Sequence, residues 1–274
     1  MVWLTKNNML RVVRILDVKS ENPNAKTLFF KDELCALAEP GQFIMVWIPG
    51  VDEIPLSISS VYSDGSSSVT VAEVGEATKA LISMKPGDLI GVRGPFGKGF
   101  KIIGERALVV GGGTGMAPLM LLIDRLIERN IETFIINGAE NRNKIIFLER
   151  LENLLKTGKI NIYFTTEDGS YGFKGLVTDI VEKILESKKF DIIYACGPER
   201  MIKRIYHIAK SRSIHLQASL ERYVRCAMGI CGSCVIGKYR VCKDGPVFAI
   251  EDLMEVEDHL GLFKYNEVGE KVPV

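Results

Sequence analysis

The sequence has almost no surplus charge. Its 35 Lys and Arg stand against 34 Asp and Glu, a formal net charge of +1, so composition announces neither a nucleic-acid partner nor an acidic polymer. It has no run of the roughly 18 apolar residues that a membrane span needs; the longest candidate, 117–127, is broken by Asp124 and Arg125. The N-terminal stretch MVWLTKNNML has no basic segment leading into an apolar one, so no export signal is read there. The chain is expected to be soluble and cytoplasmic. Histidine is scarce: His207, His215 and His259 are the only three, and their spacing suggests no metal site. No Ser–His–Asp arrangement and no nearby carboxylate pair supports hydrolysis. Internal repeats and low-complexity tracts are missing as well. A chain with so little side-chain chemistry of its own points to a cofactor.

Apolar residues are plentiful, at 47% of the chain, which supplies real cores and excludes disorder. At roughly 150 residues per domain, 274 residues make about two domains. The pattern along the chain divides it into three pieces. From 11 to 100, short strand-like runs (LRVVRILDV, KTLFFKD, GQFIMVWI, LSISSVY, SVTVAEV, DLIGVRG) are separated by turn residues without helical spacing. That predicts an antiparallel barrel or sandwich. From Arg106 strands alternate with helices, ALVVGG with APLMLLIDRLIERN and so on to IHLQASLE, which predicts a parallel sheet covered on both faces. After Ser219 neither pattern persists, and such a segment needs a metal or a partner surface to hold it. The expected units are 1–100, 101–217 and 218–274.

Cysteine is the informative residue. Of six, Cys226, Cys231, Cys234 and Cys242 fall within seventeen residues, while Cys35 and Cys196 lie far away. Clustering in a chain without an export signal points to metal or redox chemistry rather than a disulfide scaffold. The spacing Cys226-x4-Cys231-x2-Cys234, with Cys242 seven residues on, matches the plant-type [2Fe–2S] pattern. Gly229 and Gly232 lie between ligands, where the lack of a Cβ would let the backbone approach the cluster. Four thiolates also suit tetrahedral zinc, although zinc knuckles more often carry two C-x2-4-C pairs.

The stretch Val109 to Pro118 holds four glycines, Gly111, Gly112, Gly113 and Gly115, at a strand-to-helix junction. Such a turn lets a phosphate-bearing ligand meet the backbone at a helix N-terminus. No Lys-Ser/Thr follows, so it is not a Walker loop, and Met116 breaks the strict G-x-G-x-x-G fingerprint. Cys196-Gly197-Pro198 ends another strand, either as an ordinary helix start or as a thiol at the ligand-binding edge of the sheet. Gly75 to Leu81 opens a short helix that is either simply capped or a second phosphate site.

Taken in order, Pro55-Leu56-Ser57-Ile58, Gly111 to Pro118, Glu167 to Gly175, Cys196-Gly197-Pro198, Ser219-Leu220-Glu221-Arg222 and Val241 to Phe248 resemble the electron-transfer subunits of NAD-linked (type B) dihydroorotate dehydrogenases, within the ferredoxin–NADP reductase superfamily. The resemblance runs from about 11 to 248. It implies a flavin-binding β-barrel, an NAD-binding α/β domain and a small C-terminal [2Fe–2S] domain. FAD would lie with Pro55, Leu56 and Ser57 along the isoalloxazine and Ser57 near N5. Val71, Ala72 and Glu73 would line the flavin or its ribityl chain, and Gly75, Ala77 and Thr78 would meet the pyrophosphate. NAD would lie over Gly112, Gly113, Thr114, Gly115 and Ala117, with Cys196, Gly197 and Pro198 near the nicotinamide. Glu221 would stand between flavin and cluster, and Cys226, Cys231, Cys234 and Cys242 would ligate the iron. Dihydroorotate would be oxidised at FMN in a separate catalytic subunit, with two such pairs forming a heterotetramer in pyrimidine biosynthesis.

Departures from the superfamily pattern are also present. Glu53 and Ile54 stand where an Arg usually precedes the flavin-facing Ser, so a phosphate contact is either missing or supplied elsewhere, by Lys79 or Arg93. Leu56 stands where a Tyr often stacks on the flavin. Met9 would make a natural start for the family, so residues 1–8 read as an extension or a misassigned start. Glu140 and Arg142 offer an acid for a ribose diol and a base for a 2′-phosphate; the resemblance favours NAD. Two other functions stay open: a diaphorase-like NAD(P)H subunit of a hydrogenase or sulfide-linked reductase, and a zinc-stabilised binding module without redox activity.

Overall fold

The computed structural model describes residues 6–274. Strands β1 (Arg11–Asn22), β2 (Ala25–Lys31), β3 (Phe43–Ile48), β4 (Asp52–Val61), β5 (Ser66–Ala72) and β6 (Leu89–Phe96) close into an antiparallel barrel in the order β1-β2-β5-β4-β3-β6. Alternation drives this: Leu28 and Phe30, Ile44, Val46 and Ile48, Val69 and Val71, Ile90 and Val92 all turn into one core. Closure leaves no open strand edge. Helix α1 (Glu76–Ser83) drops Leu81 into that core. Part of the supposed N-terminal extension belongs to the barrel. Asn7 is buried and donates Nδ2–H to the Pro95 carbonyl at 2.9 Å, and Asn8 accepts from Arg93. Residues 1–5 lie outside the described residues.

The alternating region follows as β7 (Arg106–Gly112), α2 (Met116–Glu128), β8 (Glu132–Ala139), α3 (Leu148–Lys156), β9 (Ile160–Thr166), β10 (Phe173–Lys174), α4 (Val177–Ser187), β11 (Ile192–Cys196), α5 (Glu199–Arg212) and β12 (His215–Ser219). Leu108, Val109 and Val110 are buried without alternation, as expected of a strand covered on both faces. Strand order is β10-β9-β8-β7-β11-β12, with a seventh strand from the C-terminal segment, β15 (Val247–Ala249), beside β12. The chain leaves β7 toward β8 and returns to its other side with β11, so the switch point, where open α/β sheets bind ligands, lies between the ends of β7 and β11.

The remainder forms β13 (Val235–Ile236), β14 (Tyr239–Arg240), α6 (Val241–Asp244), β15 (Val247–Ala249), α7 (Ile250–Met254), β16 (Phe263–Tyr265) and β17 (Lys271–Pro273). Strand β15 pairs antiparallel with β12, Gln217 opposite Ala249 and Ser219 opposite Val247. Cys234, Ile236, Val241 and Phe248 share one apolar core with Leu108 and Ile193 of the sheet and Phe43 and Phe96 of the barrel. The surface that holds this segment is therefore supplied by the chain itself. Among the described residues no helix is long and apolar enough to cross a membrane.

The candidate cofactor cleft and cysteine loop

A cavity of about 600 Å³ opens where barrel, sheet and C-terminal segment meet. Its barrel wall carries Pro55, Leu56 and Ser57; its sheet wall carries Gly112, Gly113, Thr114, Gly115 and Ala117 with Cys196, Gly197 and Pro198; Glu221 closes the third side. Twelve residues singled out in the sequence thus face one space.

The glycine turn is built for close packing. A Cβ on Gly115 would lie 2.5 Å from the Gly197 Cα, and one on Gly112 would lie 2.7 Å from the Met201 sulfur. Gly111 is closed off in the same way by the Met116 side chain. Gly113 differs: its φ is +56° and nothing lies within 4 Å of where its Cβ would stand. One glycine of the four therefore opens a cradle, and three seat the turn against the β11–α5 junction. The Cys196 thiol is pushed up to about 12, first by burial and then by the Glu221 carboxylate. It stays protonated at neutral pH.

Six other candidates lie away from this space. Val71 points into the barrel core; strand alternation gives the cavity Thr70 instead. Ala72, Glu73, Gly75, Ala77 and Thr78 lie on the β5–α1 connection. There the Thr78 hydroxyl accepts from the Val74 and Gly75 amides, both at 2.9 Å, which caps the helix from within. Of the two cations considered for a phosphate contact, Arg93 is committed. Its Nε and NH2 donate to both Glu53 oxygens at 2.7 and 2.6 Å. Lys79 has only Glu73 at 3.8 Å, and both are well exposed. Glu140 and Arg142 are exposed at the end of β8, with the Arg142 guanidinium 5.5 Å over the Tyr171 ring.

Sequence reasoning gave no role to a buried pair beneath Glu221. Arg222 and Glu199 form a salt bridge with almost no exposed side-chain surface. Glu199 also accepts the Gly261 amide at 2.7 Å, and Arg222 donates to the Glu221 carbonyl at 2.7 Å. The pair ties α5, the end of β12 and the C-terminal segment into one corner of the cavity. Its members are 23 residues apart, and no local pattern signals them.

Beyond Val224, which lines the cavity, the chain enters the cysteine loop. Ala227, Gly229 and Gly232 have φ of +58°, +74° and +77°, and these left-handed turns aim amides at sulfur. Met228 and Ile230 donate to Cys226 Sγ, both at 3.4 Å; Gly229 donates to Cys242 Sγ at 3.2 Å, and Cys242 to Cys234 Sγ at 3.4 Å. Burial raises the Cys226 thiol, but amides of Cys231, Ile230 and Met228 outweigh it and bring the thiol down to about 7. Cys234 is pushed down to about 7, chiefly by a hydrogen bond from Cys242, which conversely holds its own proton. Among the described residues, no three His, Cys, Asp or Glu side chains close round one point as a single metal ion would require. Four cysteines with backbone amides aimed at Cys226, Cys234 and Cys242 suit an iron–sulfur cluster. Cys231 is exposed beside the exposed Ile230, while Cys234 and Cys242 are buried.

Comparison with known proteins agrees with this layout. Residues 109–207 match the oxidoreductase NAD-binding domain, and residues 221–254 match the iron-sulfur cluster binding domain of dihydroorotate dehydrogenase B. A dihydroorotate dehydrogenase B (NAD(+)) electron transfer subunit of Methanocaldococcus jannaschii is 40% identical over 263 residues, covering 95% of this chain and 97% of the relative. The chain belongs to the dihydroorotate dehydrogenase B electron-transfer subunit family. The family's subunit from Methanopyrus kandleri is 44% identical over 80% of this chain and 82% of its own length. Among solved structures, an NADH-dependent reduced ferredoxin–NADP oxidoreductase studied for flavin-based electron bifurcation matches with a TM-score of 0.80 and 28% identity, over 92% of this chain and 93% of that one. A ferredoxin NADP+ reductase from Neisseria gonorrhoeae with bound FAD and NADP shares the fold of barrel and sheet, with a TM-score of 0.62, 18% identity, and coverage of 74% and 91%.

Proposed function

We propose that this chain carries electrons from a dihydroorotate-oxidising catalytic subunit to NAD+ through a [2Fe–2S] cluster on Cys226, Cys231, Cys234 and Cys242 and an FAD in the central cavity. The observation that carries this reading is the three-walled cavity: flavin-type barrel residues, a nicotinamide-type glycine turn, and a third wall that runs into the cysteines within a few residues. Val241 lines that wall and Cys242 follows it directly. A flavin held there by Pro55, Leu56 and Ser57 would supply the conversion between the one-electron chemistry of a cluster and the two-electron chemistry of a nicotinamide.

The chain's own residues then hold, orient and insulate. Ser57 and Thr70 offer hydroxyls from the barrel wall, and Leu56 would cover the ring where the wider superfamily often stacks a Tyr. The cradle at Gly113, together with the start of α2, takes the dinucleotide phosphates. Cys196, a neutral thiol, fills the space beside the nicotinamide without adding charge, and Glu221 sits on the cluster side. Lys79 is the cation left to reach the flavin phosphates, because Arg93 is held by Glu53. The exposed edge at Ile230 and Cys231 faces a partner with FMN in its active site. Two such pairs assemble as a heterotetramer, which places this chain in the pyrimidine route.

Co-expression with that partner tests the reading: the pair should copurify and reduce NAD+ with dihydroorotate. The similarity to a reduced ferredoxin–NADP oxidoreductase favours one rival, a diaphorase-like role. An inactive dihydroorotate pair alongside NADH-driven reduction of a ferredoxin-type carrier would establish that rival. The anaerobic visible spectrum separates both from a zinc module, since a colourless preparation holding zinc and no flavin would end the redox reading.

A further inference from the structure

A line of hydroxyls leaves the cavity wall at Thr70 and runs over the outer face of the barrel, across β5 and β2, to a carboxylate on β1. Thr70 lines the cavity and lies directly opposite Thr27 in the β2–β5 ladder. Their Oγ1 atoms are 2.8 Å apart, and Thr27 Oγ1 is 2.7 Å from Glu21 Oε1. Thr27 is 3% exposed, so water does not replace it in the line. Glu21 is half-buried at the surface, where Oε2 accepts the Phe147 amide at 3.2 Å from the nucleotide-binding region. Ser59 joins at Thr70 with an Oγ–Oγ1 distance of 3.2 Å and leads only to Ser68. The one branch that reaches an ionisable group is the branch through Thr27.

Each threonine hydroxyl carries one proton, so the line points one way at a time. With Glu21 ionised, Thr27 donates to it and the single Thr70 proton is shared between Thr27 and Ser59, away from the cavity. With Glu21 protonated, Thr27 donates to Thr70, and the Thr70 proton is released from Thr27 to turn from Ser59 to the cavity. The electron route proposed above creates a need for this. Reducing a flavin to the hydride-donating state from an iron–sulfur cluster takes two electrons and one proton, and the cluster brings only electrons. The following hydride transfer to NAD+ takes no proton from solvent.

We infer that Glu21, Thr27 and Thr70 form the path by which that proton enters, an inference that rests on the flavin reading. Glu21 Oε1 gives its proton to Thr27 Oγ1, Thr27 gives its own to Thr70 Oγ1, and Thr70 gives its own to the acceptor in the cavity. Three bonds to hydrogen break and three form, and Glu21 regains its proton from solvent. Thr27 and Glu21 touch no cofactor; they are relay residues acting through Thr70.

The test uses the full chain with its cofactors, photoreduced in weakly buffered solution containing a pH-indicator dye. Thr27→Val removes the hydroxyl at nearly constant volume, Glu21→Gln removes the proton source, and Thr27→Ser restores the hydroxyl. The rate of proton uptake, taken relative to the rate of hydride reduction by NADH, should fall about tenfold or more in the first two. It should stay within about twofold of the parent in Thr27→Ser. Uptake at the parental ratio in Glu21→Gln overturns the relay, as does a Thr27→Ser protein as slow as Thr27→Val. If Thr27→Val does not fold, Glu21→Gln and Thr27→Ser still decide. A parent chain that takes up no flavin removes the underlying reading instead, and its colourless spectrum tells the two failures apart.

Discussion

The glycine turn and the cysteine loop flank the same cavity and are both rich in glycine, yet Gly112 and Gly115 of the turn and Gly232 of the loop are needed for opposite reasons. In the turn, Gly112 and Gly115 are required by what surrounds them: the Cβ each lacks would strike a side chain or the backbone of the next loop. In the loop, Gly232 has φ +77° with nothing within 4 Å of its absent Cβ, so it is required by backbone conformation alone. Packing holds the sheet side. Hydrogen bonds and ion pairs hold much of the cysteine side: amides on sulfur, Arg240 NH1 on the Gly229 carbonyl at 2.8 Å, and Glu257 between Lys210 and Tyr206, both at 2.8 Å.

Substitutions can break this contrast. The largest effect is expected for Cys231→Ser, which should abolish the cluster's visible absorbance while flavin reduction by NADH stays measurable. Loss of that reduction in a folded protein would mean that the two sides are one site. Gly115→Ala comes next. With backbone on the far side of the clash the turn has nowhere to move, and denaturant unfolding should show a loss of about 3 kcal/mol, with NADH-driven reduction lost as well. Gly232→Ala meets only conformational strain and should cost about 1 kcal/mol. A cost equal to that of Gly115→Ala would erase the distinction.

The smallest effect is a pH dependence on the cysteine side. Hydrogen bonds from Lys210 and Tyr206 hold the Glu257 carboxyl below its ordinary range. For an acid with a depressed folded pKa, the stabilisation is complete above the unfolded value, near about 4.3, and is lost as pH falls through the folded value. Hydrogen-exchange protection of the Val256 and Leu260 amides, corrected for intrinsic rate, should therefore drop between about pH 4.5 and 3 ahead of the buried amides in the middle of β8. Glu257→Gln should begin with the lower protection already at neutral pH. Equal loss in the sheet would show that both sides answer to acid alike.

Much of this architecture is legible in the chain because it rests on local rules. Six barrel strands show alternation and turn residues, and the β7–β12 region shows its change of rhythm. The cysteine spacing is a local signature too. What escaped is non-local. Strand β15 has three residues, too few for any period, and exists because β12 offers it a ladder. The Glu199–Arg222 pair joins positions that only the fold brings together. Thr70 escaped for a different reason: the resemblance marked the neighbouring stretch 71–73, but which residues of a strand face a cavity depends on its phase, and Val71 belongs to the barrel core.

The ladder between β12 and β15 has a consequence for rate. Gln217, Ala218 and Ser219 are registered against Ala249, Phe248 and Val247, so the strand end leading to Glu221 and the segment following Cys242 are fixed to each other by main-chain bonds. A slip of one residue would turn every side chain to the opposite face, which makes the register an all-or-none setting. On the proposed electron route, the gap between the cysteine loop and the cavity is thereby set by sheet geometry rather than by the exposed rim of the loop.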